Sequence, residues 1–215
     1  MTTELARRLR LIVITDEGLA HPRPVVDVVA EAVAAGAPAV QLRSKGASAR
    51  QLHETGSRLL PVVRSAGALF FVNDRVDVAL ALGADGVHLG PHDLLVAAAR
   101  RAARGVGRPF FIGASTDDPA TARRLVDDGA DYIGCGTVFS TTTKPDAGEA
   151  IGLSGLQRVV EAVAVPVVGI GGVDAAGSRE IASGTDAAGV AVVGAVMASG
   201  DVAGAVGALL RPWEG

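Results

Sequence analysis

Short runs of Val, Ile and Leu recur along the chain, and Ala-rich segments with apolar residues at helical spacing separate them. Continuous apolar runs of this length are typical of strands that are buried on both faces of a parallel sheet. Their alternation with helical segments predicts repeated βα units. The predicted strands are 11–15, 39–43, 69–73, 86–89, 110–113, 132–136, 167–170 and 189–193.

A predicted helix follows each predicted strand. At about 27 residues per unit, the chain has room for a strand, a helix and two short loops in each of eight units. We therefore expect one (β/α)8 barrel, a TIM barrel in the α/β class, that occupies residues 1–215 as a single domain. The predicted helices are 25–35, 49–64, 76–82, 94–104, 120–128, 153–163, 175–183 and 202–210.

An open, doubly wound sheet is the alternative architecture, and it would carry a Gly-rich dinucleotide turn after its first strand. The chain has Thr-Asp-Glu-Gly at 15–18 instead. The Gly-x-Gly sequences at 134–136 and 169–171 are not continued to a complete G-x-G-x-x-G motif. This pattern favours the barrel.

Composition and charge narrow the possible partners. The chain is 49% hydrophobic but only 3% aromatic and contains 28 glycines, so its core is built from small aliphatic side chains. Twenty Lys and Arg oppose 23 Asp and Glu, which gives a net charge of -3. Without a basic stripe, the chain is not expected to bind nucleic acid.

The sequence predicts neither a signal peptide nor a membrane span. Residues 1–10 lack the apolar region of a signal peptide. The apolar stretch 187–199 is interrupted by glycine and is shorter than the roughly 20 residues that span a bilayer. We expect a cytoplasmic protein with no membrane partner, in which the single cysteine, Cys135, packs as a small apolar side chain.

The loops after barrel strands form the active face, and a basic group follows the second predicted strand. Gln41, Arg43 and Lys45 alternate along a segment that reads Gln-Leu-Arg-Ser-Lys. Alternate residues of an extended segment point to the same side, so two cations and an amide would converge. The alternative is a set of surface salt bridges.

Two carboxylates follow the third and fourth predicted strands. Asp74 comes directly after Asn73, and Asp93 lies a few residues beyond the next strand. Neighbouring strand ends would bring them close together, where carboxylates and substrate phosphates suit Mg²⁺. Both residues also precede helical segments, so the alternative is that they are helix N-caps.

None of the four histidines is assigned a role. His88 and His92 are four residues apart, but Gly90 and Pro91 prevent the helical turn that would bring them together. A zinc site is therefore not expected there.

Hydroxyl groups follow the fifth and sixth predicted strands. Ser115 would face the mouth of the barrel, or cap the next segment. The segment 136–145 contains several hydroxyl residues and a lysine, which together can bind a phosphate or a carboxylate; the alternative is a simple turn. The residues concerned are Thr141, Thr142, Thr143 and Lys144.

Glycines follow the seventh predicted strand, and small residues follow the eighth. In barrels these two loops often form a phosphate site from backbone N–H groups. Gly171 and Gly172, with Val193 and Gly194, are the candidates. The alternative is that the glycines only permit tight turns.

In this order, the motifs resemble those of the thiamine-phosphate synthase family over essentially the whole chain. They are Gln-Leu-Arg-Ser-Lys at 41–45, Asn-Asp at 73–74, Asp-Gly-Val-His-Leu-Gly at 85–90, the segment 136–144, and Ile-Gly-Gly-Val at 170–173. The resemblance implies a transferase that joins an aminopyrimidine methyl diphosphate to hydroxyethylthiazole phosphate, or to its carboxylated form. Thiamine phosphate and pyrophosphate would be the products of a dissociative reaction assisted by Mg²⁺.

The resemblance also implies roles for individual residues. Arg43, Lys45 and Lys144 would act on the leaving diphosphate, and Asp74 and Asp93 would hold Mg²⁺. The pyrimidine diphosphate would contact Gln41, Leu42, Arg43, Ser44, Lys45, Asn73, Ser115 and Lys144. The thiazole phosphate would contact Thr141, Thr142, Thr143, Gly171, Gly172, Val193 and Gly194.

Two positions depart from the commoner pattern of this family. Pro91-His92 stands where Gln followed by an acidic residue is frequent, and Gly194 stands where Ser is common. The second departure removes a hydroxyl from the expected phosphate site.

Two other functions stay open. A thiazole tautomerase of the same barrel group typically has a histidine after the glycine of the sixth strand, where this chain has Thr137. A non-catalytic barrel that binds a phosphorylated metabolite would not need Asp74 and Asp93. The expected partners are two phosphorylated small molecules, and a homodimer is compatible with the sequence.

Overall fold

The computed structural model describes residues 2–141 and 149–214. Eight parallel strands close into a barrel in which each strand pairs with the next and the last pairs with the first. This arrangement confirms the predicted (β/α)8 barrel. The strands are β1 (Leu11–Ile14), β2 (Ala39–Leu42), β3 (Leu69–Asn73), β4 (Gly86–Leu89), β5 (Phe111–Ser115), β6 (Tyr132–Cys135), β7 (Val167–Ile170) and β8 (Gly189–Val192).

Helices connect the strands on the outside of the barrel. A single 3-10 turn, Arg211–Trp213, follows the last of them. The helices in the described part of the chain are α1 (Thr2–Arg8), α2 (Glu17–Ala20), α3 (Val25–Ala34), α4 (Ala49–Ser65), α5 (Val76–Leu82), α6 (Val96–Ala102), α7 (Pro119–Asp127), α8 (Gly152–Val160), α9 (Ala175–Gly184), α10 (Gly194–Met197) and α11 (Val202–Leu210).

The predicted boundaries agree with the structure at β3, β4, β7, α5 and α11, and elsewhere they differ by up to three residues. The start of α6 shows a physical reason for such a difference. Leu94 and Leu95 were expected to lie in this helix but are 47% and 74% exposed. They belong to the loop after β4, and the helix begins only where Val96 is buried.

The sequence pattern did not predict the helix α1, which closes the amino end of the barrel. Its Leu5 and the following Leu9 are buried in the cluster of side chains inside the barrel. The charged residues around these leucines hide their helical spacing. The one-turn helices α2 and α10 were also not predicted, because four residues are too few to show a period.

Alternate residues of each strand face two separate apolar clusters. The larger cluster lies between the sheet and the helices, and the smaller one fills the barrel interior. Cys135 belongs to the larger cluster and is fully buried, as expected of a small apolar side chain. Its burial raises the pKa of the thiol to about 12.

Two Gly-Ala-Asp sequences, at 83–85 and 129–131, build equivalent turns at the amino end of the barrel. Gly83 and Gly129 have φ angles of 69° and 106°, which other residues rarely adopt. Each Asp side chain accepts a hydrogen bond from a backbone N–H of the preceding strand, at 2.9 and 2.7 Å. These turns fix the amino end and leave the carboxyl end for other groups.

Within residues 2–141 and 149–214, no helix combines the length and the apolar character that crossing a bilayer requires.

Candidate active site

The carboxyl end of the barrel gathers the polar residues that the sequence placed after the strands. Gln41 is buried near the end of β2, and Asn73 ends β3. Ser115 ends β5, where it is partly buried. These strands are neighbours or near neighbours in the barrel, so their ends form one side of a common mouth.

Arg43 is held at this mouth by residues that follow β1. The Thr15 hydroxyl accepts a hydrogen bond from the Arg43 backbone N–H at 2.9 Å and donates one to the Arg43 carbonyl oxygen at 3.0 Å. The Arg43 guanidinium lies 3.9 Å from the Asp16 carboxylate. The backbone and the side chain of Arg43 are therefore both restrained. Neither Thr15 nor Asp16 was singled out from the sequence.

The segment after β2 differs in part from the predicted extended alternation. Lys45 lies in a turn, which the Ala47 N–H closes by donating to the carbonyl oxygen of Ser44. Arg43 and Lys45 both lie near enough to the Asp74 carboxyl to lower its pKa. The side chain of Leu42 faces the helices and is 1% exposed. Its side chain therefore does not reach the mouth, and only its backbone is available to a ligand.

Asp74 and Asp93 follow the neighbouring strands β3 and β4 and lie next to each other in space. The two carboxyl groups share a hydrogen bond. Partial burial, this hydrogen bond and the charge of Asp93 raise the pKa of Asp74 to about 6, against the opposing effect of Arg43 and Lys45. Two carboxyl groups this close compete for one proton, and a bound cation would favour the charged form of both.

The helix-cap interpretation of these two residues is wrong. The residue before α5 is Arg75, and the residue before α6 is Leu95. Asp74 instead adopts a left-handed backbone conformation, with a φ angle of 64°. Asp93 accepts a hydrogen bond from the Gly90 N–H at 2.7 Å and so closes the turn after β4. Both carboxyl groups are thereby turned toward each other and away from the helix ends.

Ser115 does not cap the segment after β5 either, because the N-cap of α7 is Asp118. Its hydroxyl lies 2.8 Å from Nε2 of His88, and Nδ1 of the same ring lies 3.0 Å from the Tyr132 hydroxyl. Burial lowers the pKa of His88 to about 4. Burial also raises the pKa of Tyr132 well above its usual value. Both groups are therefore neutral near pH 7.

His88 and Tyr132 were missed by the sequence reasoning. A signal for them exists in the register of the barrel. His88 lies opposite Gly113, which lies opposite Tyr132, and Ser115 lies opposite Gly134. Large polar rings that alternate with glycines across neighbouring strands indicate that the rings point into the barrel.

The segment after β6 pairs with the segment after β7. The N–H groups of Val138 and Phe139 donate to the carbonyl oxygens of Ile170 and Gly171, at 2.8 and 3.0 Å. Thr141 is partly buried just beyond this pairing. The candidates Thr142, Thr143 and Lys144 lie outside the described residues.

The glycines after β7 occupy positions that other residues could not adopt without strain. Gly171 and Gly172 have φ angles of 98° and 65°. A Cβ atom on Gly171 would lie 2.8 Å from Cα of Thr137, and one on Gly172 would lie 2.6 Å from the Phe139 carbonyl oxygen. The tight turn therefore requires glycine at both positions. This requirement leaves the backbone of both residues available to contact a ligand.

After β8 the chain turns at once into α10. Val193 precedes this helix and provides no side-chain hydrogen bond to its first turn, and Gly194 is its first residue. Both residues are partly exposed at the mouth.

The closed barrel, with its cations, carboxyl groups and hydroxyls at the carboxyl ends of the strands, defines the class of this protein as a (β/α)8-barrel enzyme. Residues 11–196 match the sequence model of the family described as thiamine monophosphate synthase. The chain belongs to this family, and it is a transferase.

Individual relatives agree with this assignment. The thiamine-phosphate synthase of Chloroflexus aurantiacus is 46% identical over 197 residues, which cover 91% of this chain and 88% of the relative. The thiamine-phosphate synthase of Pyrococcus furiosus is also 46% identical, over 92% of this chain and 91% of the relative.

Solved structures extend the comparison to three dimensions. The thiamine phosphate pyrophosphorylase of Pyrococcus furiosus superposes with a TM-score of 0.87 at 43% identity, and 98% of each chain is covered. A 3-hexulose-6-phosphate synthase superposes with a TM-score of 0.67 at 19% identity, over 94% of this chain and 99% of that one. The second likeness concerns the fold alone.

Proposed function

We propose that this protein joins an aminopyrimidine methyl diphosphate to hydroxyethylthiazole phosphate, giving thiamine phosphate and pyrophosphate. If the thiazole carries a carboxylate, carbon dioxide is a further product. Membership of the family supports the reaction class, and the arrangement of charges at the mouth supports the two anionic substrates. The observation that carries the proposal is that Arg43 and Lys45 lie near the Asp74 carboxyl, which is itself hydrogen-bonded to Asp93.

The diphosphate of the pyrimidine substrate would lie against the two cations after β2. Thr15 and Asp16 hold Arg43 in place before any substrate arrives, which lowers the entropic cost of binding. Gln41, Ser44 and Asn73 offer polar groups on the same side of the mouth, and the backbone of Leu42 lies between them. Lys144 is expected to approach the diphosphate from the opposite loop, on the strength of the family resemblance.

The residues present fit a Mg²⁺ ion. Asp74 and Asp93 form a pair of carboxyl groups whose mutual repulsion a cation would relieve. The described residues contain no cluster of three or more His, Cys, Asp or Glu that could hold a metal. Mg²⁺ characteristically binds through one or two carboxylates and completes its shell with water and substrate phosphates. When bound, it would neutralise charge on the diphosphate.

The residues of this chain assist departure of the diphosphate without forming a covalent bond. The bond between the methylene carbon and the diphosphate oxygen breaks, and its electron pair leaves with pyrophosphate. Arg43, Lys45 and Lys144 would stabilise the negative charge that builds on the leaving oxygens. The electron-rich aminopyrimidine stabilises the methylene cation, and the lone pair of the thiazole nitrogen then forms the new carbon–nitrogen bond.

The phosphate of the thiazole substrate would lie at the ends of β7 and β8. Gly171 and Gly172 have no side chains to block the approach of a phosphate to the backbone, and the first turn of α10 follows Val193. Gly194 contributes backbone but no hydroxyl. The hydroxyls of Thr141, Thr142 and Thr143 would contact the thiazole from the loop after β6.

A direct assay tests this proposal. The purified protein is incubated with both phosphorylated precursors and Mg²⁺, and thiamine phosphate and pyrophosphate are measured. We expect equal amounts of the two products, and neither product when one precursor is omitted. Conversion of a thiazole precursor alone would favour the tautomerase function, and tight binding of one precursor without turnover would favour a sensor.

A pair of variants ties the activity to the carboxylate pair. Asp93→Asn keeps an oxygen that can accept from the Gly90 N–H but removes the charge, and we expect it to lose most Mg²⁺-dependent turnover. Asp128→Asn changes an exposed carboxylate at the end of α7 and should retain full activity. Full activity of Asp93→Asn would contradict the metal assignment.

A further inference from the structure

A chain of three hydrogen-bonding groups crosses the barrel just below the mouth. The Tyr132 hydroxyl of β6, the His88 ring of β4 and the Ser115 hydroxyl of β5 follow one another at 3.0 and 2.8 Å. Ser115 ends β5 at the mouth, and the His88 residue beside it is also partly exposed. Tyr132 begins β6 and is 1% exposed, so it lies deepest in the barrel.

The space for this chain is made by glycines on the neighbouring strands. A Cβ atom on Gly113 would lie 2.1 Å from Cζ of Tyr132 and 2.5 Å from Nδ1 of His88. A Cβ atom on Gly134 would lie 2.9 Å from Cε1 of His88. Since neither glycine has a positive φ angle, close approach of the two rings is what requires glycine here.

The direction of the hydrogen bonds follows from counting donors. Tyr132 is 1% exposed, and Nδ1 of His88 is the polar partner that the described residues offer to its hydroxyl proton. If Nδ1 carried a proton, the buried phenol would lose its acceptor, at a substantial energetic cost. The phenol therefore donates to Nδ1. The neutral imidazole must then carry its proton at Nε2, from which it donates to the oxygen of Ser115.

We propose that Tyr132 fixes the tautomer of His88, and that His88 thereby leaves the Ser115 hydroxyl proton free to be donated into the mouth. The identity of the acceptor rests on the function proposed above: it is an oxygen of the pyrimidine diphosphate. A donor fixed in advance stabilises the charge that builds on this oxygen as the diphosphate leaves. His88 and Tyr132 are positioning residues that act through Ser115.

Nitrogen NMR of the protein labelled with ¹⁵N-histidine tests the tautomer directly. We expect the unprotonated type of shift at Nδ1 of His88 and the protonated type at Nε2. The exposed His21, His53 and His92 provide reference signals, and the spectrum of His88→Gln assigns the signals of the His88 ring. Protonation at Nδ1, or at both nitrogens, near pH 7 would overturn the proposal.

Two variants separate the role of the phenol from that of packing. Tyr132→Phe keeps the ring but removes the proton donor, so we expect the ring of His88 to lose its fixed tautomer. Phe71→Leu alters the ring that contacts Tyr132 edge-on, with centroids 5.6 Å apart, and should leave the tautomer unchanged. If the two variants have the same effect on the spectrum, Tyr132 acts only by packing.

A double-mutant cycle tests the action through Ser115. We expect Ser115→Ala and Tyr132→Phe each to lower kcat, roughly tenfold or more for Ser115→Ala, and Ser115→Thr to retain most of the activity. In the Ser115→Ala background, Tyr132→Phe should have little further effect. Additive effects would overturn the relay. If the wild type forms no thiamine phosphate, the proposed function fails, and the NMR result still decides the tautomer.

Discussion

The Thr15 hydroxyl is hydrogen-bonded to both backbone polar groups of Arg43, at 2.9 Å to the N–H and at 3.0 Å to the carbonyl oxygen. Thr15 is 1% exposed, and its own backbone N–H donates to the carbonyl oxygen of Gln41 at 2.9 Å. The side chain thus continues the contact between β1 and β2 beyond the last regular pair of the ladder. A candidate substrate-binding arginine is positioned in this way by a residue that does not itself reach the mouth.

Replacement of this threonine should affect both stability and substrate binding. Thr15→Val removes the hydroxyl with little change of volume, and leaves two partly buried backbone groups of Arg43 without this partner. We expect a loss of about 1–3 kcal/mol in the free energy of unfolding. We also expect a severalfold rise in KM for the pyrimidine diphosphate. Urea denaturation and steady-state kinetics measure the two effects.

Two further threonine variants show whether the effect belongs to this site. Thr15→Ser keeps the hydroxyl and should retain a KM near that of the wild type. Thr185→Val removes a hydroxyl that donates to the Ile181 carbonyl oxygen at the opposite end of the barrel, and it should lower stability alone. An unchanged KM in Thr15→Val would show that Arg43 does not need this support.

The carboxyl pair should make stability depend on pH in an unusual direction. The pKa of Asp74 is raised from 3.8 to about 6 in the folded protein. A group with a raised folded-state pKa contributes stability that is full below the unfolded value and is lost as the pH rises through the folded value. Without metal, the wild type therefore loses this contribution between about pH 4 and pH 6.

Asp74→Asn should consequently raise the Tm at pH 7.5 in the absence of metal, and the gain should vanish near pH 4. The gain is expected to be modest, below about 1 kcal/mol, because Asp74 is only partly buried and solvent screens its charge. Asparagine tolerates the left-handed backbone at this position. Added Mg²⁺ should raise the Tm of the wild type but not that of the variant. Equal stabilisation of both proteins by Mg²⁺ would contradict the assignment.

A neighbouring carboxylate provides the matched control. Asp77 is hydrogen-bonded to the Arg75 side chain, and this bond lowers its pKa. Asp77→Asn should therefore lower the Tm slightly at neutral pH, the opposite sign to Asp74→Asn, and leave the effect of Mg²⁺ intact.

The barrel was predictable because its strands are continuous apolar runs, and the convergence of Arg43, Lys45, Asp74 and Asp93 followed from the geometry of neighbouring strand ends. The helix-cap alternative for the two aspartates was plausible in sequence because both precede helices. It is excluded by the left-handed backbone of Asp74 and by the turn that Asp93 closes. Neither feature has a sequence signature.

Residues that act through others were not predictable from position alone. Thr15 reaches Arg43 only because β1 and β2 are paired in a particular register. The chain from Tyr132 to Ser115 depends on three strands and on the glycines between their rings. Such relationships become visible only when the strand order and the inward-facing positions are known.

The departure at Gly194 leads to a prediction of improved binding. Gly194 begins α10, where a hydroxyl is common in the family that the sequence resembles. Gly194→Ser would add a donor beside the proposed thiazole phosphate, and we expect KM for this substrate to fall severalfold. Steady-state kinetics with varied thiazole phosphate measure the change. Ala195→Ser adds the same hydroxyl one residue later and should have a smaller effect.

An unchanged or higher KM in Gly194→Ser would mean that backbone groups already satisfy the phosphate. The KM for the pyrimidine diphosphate serves as an internal check in the same experiment. It should stay constant, since that substrate is proposed to bind at the ends of β2, β3 and β5, away from β8.

The carboxyl-terminal turn is fixed by a separate buried contact. The indole Nε1 of Trp213 donates to the Ser178 hydroxyl at 2.9 Å, and this hydroxyl donates to the Leu209 carbonyl oxygen at 2.8 Å. The Trp213 carbonyl oxygen accepts from the Arg10 guanidinium at 3.2 Å, beside the start of β1. The end of the chain is thereby held against the amino end of the barrel.

Trp213→Phe should lower the free energy of unfolding by about 1 kcal/mol, because it removes the donor to Ser178 but keeps an aromatic ring. Activity should change little, since neither Trp213 nor Ser178 is among the proposed substrate-binding residues. Trp213 is the single tryptophan of the chain, so its fluorescence reports on this contact, and circular dichroism must follow the unfolding of the variant. If wild-type fluorescence changes at lower urea than circular dichroism does, the carboxyl-terminal turn detaches before the barrel unfolds. A lower kcat in Trp213→Phe would show instead that this end of the chain supports the mouth.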